Sequence, residues 1–219
     1  MRLVLVGGHS RNIGKTSVVE GLIRHLSEFS WTAVKITQFG HGVCAVNGES
    51  CGCAVSEHQF AILEEHERST GTDTSRFLSA GARRSLWVRT KQGELFTAIP
   101  ALQKEIQKEE SVIIESNSLR RFLKPDVYLQ VLDPRQADFK LSAQQFFDLA
   151  DAYLLVSEPI HRSATDLLEA AWPNVSLARE LRKHTPCFRV TAEERFLNSA
   201  VVDFVRSKIV NTVGRSMEM

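Results

Sequence analysis

The residues best suited to chemistry lie at the start of the chain. The apolar run Leu3-Val4-Leu5-Val6 ends in Gly7-Gly8, continues as His9-Ser10-Arg11-Asn12-Ile13, and closes on Gly14-Lys15-Thr16-Ser17. A strand, a glycine-containing polar loop and a helix in that order aim backbone N–H groups and the positive end of a helix at one point. That geometry suits the concentrated negative charge of a phosphate. Gly8, Asn12, Ile13, Gly14 and Ser17 would form the cradle, Lys15 would reach the β- and γ-phosphates, and the Thr16 hydroxyl would help hold Mg²⁺. The common spacing G-x-x-x-x-G-K-[ST] puts its first glycine at position 9, where this chain has His9. Either the loop is one residue longer than usual, or His9 takes a conformation that glycine normally takes. A loop histidine more often bonds backbone or solvent than acts as a base, so His9 receives no chemical role.

A carboxylate that faces a triphosphate needs a cation beside it, and Val112-Ile113-Ile114-Glu115 offers one at a strand end. Glu115 fits the task of holding Mg²⁺ or orienting the attacking group. A different chemistry is suggested by Cys44, Cys51 and Cys53, which lie within ten residues of one another with His41 and His58 flanking them. Thiolates and imidazoles converging on one point bind zinc or an iron–sulfur cluster, and the intervening glycines let the chain wrap. Cys44, Cys51, Cys53 and His41 are the expected ligands. The alternative is three unrelated thiols in a loop. Cys187, within the apolar run Pro186-Cys187-Phe188, reads as a core thiol.

These groups must be positioned by an alternation of short apolar runs with longer amphipathic segments, the pattern of βαβ units around a mostly parallel sheet. Strands are predicted at 2–7, 32–37, 85–89, 111–115, 126–132, 151–156 and 187–191. Helices are predicted at 15–28, 94–108, 142–149, 164–183 and 193–210, with Ile99, Leu102 and Ile106 on one apolar face. The stretch 38–82, rich in Gly, Cys, His, Ser and Thr, breaks the rhythm as an elaborated loop or insertion and turns helix-like from Ser56 to His66. The fold class is therefore α/β, a three-layer P-loop NTPase with a mostly parallel central sheet and a Cys-rich loop insertion, in one domain over 1–219.

With 43% hydrophobic and 24% charged residues, the 219-residue chain has a globular composition, which sets aside disordered and fibrous classes. Its 27 Lys and Arg nearly cancel its 26 Asp and Glu, so no global charge favours nucleic acid or an anionic membrane. No apolar run approaches the roughly 18 residues of a membrane-spanning helix. The N-terminal run is too short for a signal-peptide core, and a reducing cytoplasm is the expected location.

The chain resembles the molybdopterin-guanine dinucleotide biosynthesis protein B (MobB) family of P-loop proteins. The resemblance rests on the first strand with Gly14-Lys15-Thr16, on Ala33-Val34-Lys35-Ile36-Thr37, and on Gly71-Thr72-Asp73-Thr74-Ser75-Arg76-Phe77-Leu78-Ser79-Ala80-Gly81-Ala82. It covers about the first half of the chain, and Glu115 falls where the family has a strand-end glutamate. It implies that Asp73 and Arg76 face the nucleotide or its acceptor, that GTP is favoured over ATP, and that a partner enzyme in cofactor assembly is its partner; a second copy of this chain is a further expected partner. Read from the residues alone, Asp73 to Arg76 open a helix, with an Asp or Thr as N-cap.

Three functions fit: a slow Mg²⁺-dependent NTPase acting as an adaptor in cofactor or metal-centre assembly; a small-molecule kinase or ATP-dependent ligase, with Arg83, Arg84, Arg120 or Arg121 neutralising the transferred phosphate; or a nucleotide-binding module without turnover, carrying a metal in its Cys loop. No Asn-Lys-x-Asp element specifies guanine.

Overall fold

The computed structural model describes residues 1–39, 59–156, 185–191 and 197–215. Its strands are β1 (Arg2–Gly8), β2 (Thr32–Phe39), β3 (Phe60–Glu64), β4 (Arg84–Lys91), β5 (Ser111–Glu115), β6 (Val127–Leu132), β7 (Ala152–Val156) and β8 (Cys187–Val190). The helices among the described residues are α1 (Lys15–His25), α2 (Asp73–Ala80), α3 (Leu95–Ile106), the single turn α4 (Leu141–Gln144) and α5 (Ser199–Arg215). The strands form one sheet in the order β3-β4-β2-β5-β1-β6-β7-β8. All neighbours pair in parallel except β3, which runs antiparallel to β4 at the edge.

Alternation along each strand sends apolar side chains to both faces, as a parallel sheet covered on both sides requires. In β1, Val4 and Val6 pack with α1, α2 and α5, including Val19, Leu22, Phe77 and Val205. Leu3 and Leu5 pack on the other face with Leu102 and Ile106 of α3 and with Phe147. The result is three layers, helices over sheet over helices. The α1 helix starts beside the centre of the sheet, because β1 lies between β5 and β6 while the chain leaves β1 for the non-adjacent β2. Ligands of open α/β sheets bind where strand order reverses in this way.

Seven strands agree with the sequence reading to within a residue or two. The helix-like reading of 56–66 is corrected: within the described residues, Phe60–Glu64 is the edge strand β3, with Ile62 opposite Val88 and Leu63 opposite Trp87. Pairing with β4 overrides the helix-forming composition of Ala-Ile-Leu-Glu-Glu. The predicted helix 142–149 is instead α4 followed by a 3₁₀ turn at Phe147–Leu149. The predicted helix at 164–183, like the first residues of 193–210, lies outside the described residues. No helix among the described residues is long and apolar enough to cross a membrane.

Candidate functional site

The loop from His9 to Gly14 joins the end of β1 to α1, and its conformation explains its sequence. Positive φ falls at Asn12 (54°) and Gly14 (89°), not at His9. Of the two readings of the displaced glycine, His9 therefore does not substitute for glycine's conformation. The close approaches are at positions 7 and 8. A Cβ on Gly7 would lie 2.5 Å from Asn117 Oδ1, and one on Gly8 would lie 2.7 Å from Ile13 Cδ1. Asn117 clasps Gly8 from below, accepting its N–H at 2.6 Å and donating to its carbonyl at 2.5 Å.

The His9 side chain is fully buried. It turns away from the phosphate loop toward the segment after β6, where its Nδ1 accepts the Asp133 N–H at 3.4 Å and its Nε2 donates to the Gln136 carbonyl at 3.2 Å. Burial, and to a lesser degree nearby Lys15, hold its pKa below the usual 6.5 against the raising effect of these backbone contacts and of Asp133, which keeps the ring neutral. Ser10 Oγ donates to Asp138 Oδ2 at 3.0 Å, and the Lys140 N–H donates to the His9 carbonyl at 2.9 Å. The loop is thus braced by Asn117 on one side and by residues 133–140 on the other.

Gly14 caps α1 without any side-chain hydrogen bond, so the first N–H groups of an eleven-residue helix remain open to an anion. Lys15 Nζ donates to the Ser10 carbonyl at 2.7 Å, across the mouth of the loop. Burial pushes its pKa down to about 8, with Glu115 opposing that shift.

The strand register then builds the carboxylate end. Glu115 pairs with Val6 of β1 and with Lys35 of β2, so both charged side chains leave the sheet on the α1 side, in step with Ile113 and Ala33. Thr16 Oγ1 donates to Glu115 Oε2 at 2.9 Å. Lys35 Nζ lies 2.5 Å from Glu115 Oε1, 2.8 Å from Asp73 Oδ2 and 3.5 Å from Thr16 Oγ1. Asp73 is available because Thr72 takes the N-cap position of α2, its hydroxyl accepting the Ser75 N–H at 3.2 Å. Burial works against both charges. Even so, the carboxylates raise the Lys35 pKa, and Lys35 lowers that of Asp73. Arg76 is paired with Glu20 at 2.5 Å and lies 3.7 Å from Asp73. Hydroxyl and carboxylate oxygens gathered around one cation are a donor set that suits Mg²⁺.

Two openings flank α1. A cleft of about 710 Å³ is lined by residues 11–17, Lys35, Asp73, Arg76, Glu115 to Ser118 and Lys140. A smaller pocket of about 210 Å³ opens between Asn12–Gly14, Ser17 and Val18 on one side and Val156, Val190, Thr191 and Leu197 on the other.

Nearly all of the residues singled out at the N-terminal half of the sequence meet here: Asn12, Ile13, Gly14, Lys15, Thr16, Ser17, Asp73, Arg76 and Glu115 line the cleft, with Gly8 beneath Ile13 and Lys15. Arg83, Arg84, Arg120 and Arg121 do not line it. Arg83 pairs with Glu109, and Arg84 with Glu64 and Glu105, at the opposite end of the sheet. His41, Cys44, Cys51 and Cys53 lie outside the described residues, and among the described residues no cluster of His, Cys, Asp or Glu forms a metal site. Cys187 is half-buried against the core, its pKa pushed up to about 11 by burial. Sequence reasoning left Lys35, Asn117, Arg11 and Lys140 without an assigned task. Lys35 had a signal: a lone charge inside the apolar run Ala33 to Ile36 requires a counter-charge.

A parallel sheet with helices on both faces, and a phosphate loop at its switch point opposite a strand-end glutamate, define an α/β protein with the P-loop NTPase fold. Neither a family model nor a curated protein sequence matches the chain. Among solved structures it is similar to HypB from Helicobacter pylori in complex with nickel, at 19% identity over 93% of this chain and 83% of that one, with a TM-score of 0.46. It is also similar to LpxK from Aquifex aeolicus in complex with ATP, at 17% identity over 86% of this chain, with a TM-score of 0.46; the chain spans 53% of that protein's length.

Proposed function

We propose that this protein binds a nucleoside triphosphate with Mg²⁺, hydrolyses it slowly, and serves as an adaptor in cofactor or metal-centre assembly. The observation that carries the nucleotide reading is the convergence of Lys15, the uncapped start of α1 and the Thr16–Glu115 pair at one end of the cleft. The β- and γ-phosphates lie in the loop against Lys15. Thr16 and Glu115, with Asp73 beside them, hold Mg²⁺, which when bound neutralises charge that develops on the phosphates. The nucleoside extends to the smaller pocket at Val156 and Val190. The assembly role rests on the resemblance to the MobB family, and the contact of Lys35 with Asp73 supports it, since both residues belong to the segments that carry that resemblance. In the same reading the Cys44, Cys51, Cys53 and His41 loop holds zinc or an iron–sulfur cluster, and the partners are a second enzyme and a second copy of the chain.

Calorimetry with Mg²⁺ and either GTP or ATP tests the reading and identifies the base. Wild-type protein is expected to bind with at least about micromolar affinity, roughly −8 kcal/mol, and Lys15→Ala to abolish binding. Glu115→Gln should retain nucleotide while slowing turnover by about two to three orders of magnitude. Equal binding by wild type and Lys15→Ala would overturn the assignment.

A further inference from the structure

Two cations that line the cleft stand apart from the carboxylates that engage the others. Lys35 is engaged by Glu115 and Asp73, and Arg76 by Glu20. Arg11 and Lys140 also line the cleft, yet among the described residues neither makes a salt bridge. The acid closest in sequence to Lys140, Asp138, accepts the Ser10 hydroxyl at 3.0 Å and opposes part of the fall in the Lys140 pKa without forming a salt bridge to it.

Nor is Lys140 a loosely placed surface lysine. Its backbone N–H is fixed to the His9 carbonyl at 2.9 Å, and the buried His9 ring ties down the segment leading to it at Asp133 and Gln136. Burial first, and then nearby Arg11, push the Lys140 pKa down to about 8. Lys140 is half-buried with the exposed Arg11 near it, and two like charges so placed repel until an anion lies between them. The cleft is also more than three times the volume of the pocket on the other side of α1, and Ser118 and Ser142 add hydroxyls to the same wall.

We infer that Arg11 and Lys140 form a second anion subsite, which binds a phosphate-bearing small molecule beside the nucleotide. The inference rests on the phosphate-loop reading above and adds a second substrate to it. Arg11 supplies a planar fork of donors and Lys140 a point charge, a pairing suited to a phosphate monoester. Lys15 remains with the nucleotide.

Inorganic phosphate is the probe, titrated by calorimetry into protein saturated with Mg²⁺ and a non-hydrolysable triphosphate analogue. One saturable site is expected. Arg11→Gln and Lys140→Gln should each weaken it about tenfold or more while changing analogue affinity less than about twofold, and Lys140→Arg should restore it. Phosphate titrated into nucleotide-free Lys15→Ala should find the same site, so the inference is tested even if the protein binds no nucleotide. Two results would overturn it: no phosphate binding in either titration, or Arg11 and Lys140 variants that lose affinity for the triphosphate but keep affinity for the diphosphate, which would place both cations on the γ-phosphate instead.

Discussion

Lys35 is the residue on which the site's charge balance turns. Its ammonium separates Glu115, 3% exposed, from the half-buried Asp73, and it stands within reach of the same oxygens that suit Mg²⁺. Lys35→Met leaves Glu115 and Asp73 facing each other with only Arg76, 3.7 Å from Asp73, still nearby. By analogy with other broken buried pairs it should cost about 3 kcal/mol of stability. Added Mg²⁺ should recover a good part of that loss in the variant and change wild type much less. Urea unfolding with and without Mg²⁺ reads both effects, and an identical Mg²⁺ response in the two proteins would remove Lys35 from this role. Residues of this kind were partly legible in the sequence. Lys15, Thr16 and Glu115 could be placed because a phosphate loop and a strand-end acid have local signatures. The pairing of Lys35 with Asp73 could not, because it depends on β2 and α2 meeting across 37 intervening positions. Asn117 was hidden for a related reason. Its partner is the backbone of Gly8, and a backbone group carries no mark in a sequence.

At the scale of elements, the segment from Asp133 to Lys140 is held to the phosphate loop by one buried ring. The folded-state pKa of His9 is lowered, so the unfolded chain takes up a proton first as pH falls. Stability contributed by the neutral ring is present above about pH 6.5 and is lost as pH falls through the folded value. Protonated, the ring can no longer accept the Asp133 N–H. Acid should therefore lower the unfolding midpoint more in wild type than in His9→Gln, whose amide can still donate and accept but does not titrate. Parallel pH dependence in the two proteins would show that other groups dominate. Elements buried on both faces were read well, since continuous apolar runs such as Val112-Ile113-Ile114 leave little choice. The edge strand β3 was misread because its outer face is open to solvent, with Leu63 47% exposed, and its composition favours helix; only the antiparallel pairing with β4 decides the matter.

For the whole molecule, a net charge of +1 conceals a strongly cationic cleft. Lys15 and Lys140 both titrate near 8 when folded, against 10.5 ordinarily. Between about pH 8 and about pH 10 the unfolded chain binds more protons than the folded one, so these two residues make stability rise with pH in that window. Lys35 does not cancel the trend, because its pKa is raised and its contribution persists until higher pH. Thermal unfolding of the free protein should show the rise, and a Lys15→Met, Lys140→Met double variant should flatten it. Phosphate affinity at the second subsite should move the other way and weaken over the same interval.

The clasp of Asn117 on Gly8 and the latch of His9 on residues 133–140 have a thermodynamic consequence. A phosphate loop braced from both sides has few conformations left to surrender, so an arriving phosphate meets donors that are already aimed. Little apolar surface is covered when only phosphate groups bind, and heat capacity should change little. Attraction at this loop is then set by charge and by the ions in solution that compete with it, which makes ionic strength, more than temperature, the condition that governs how full the site is.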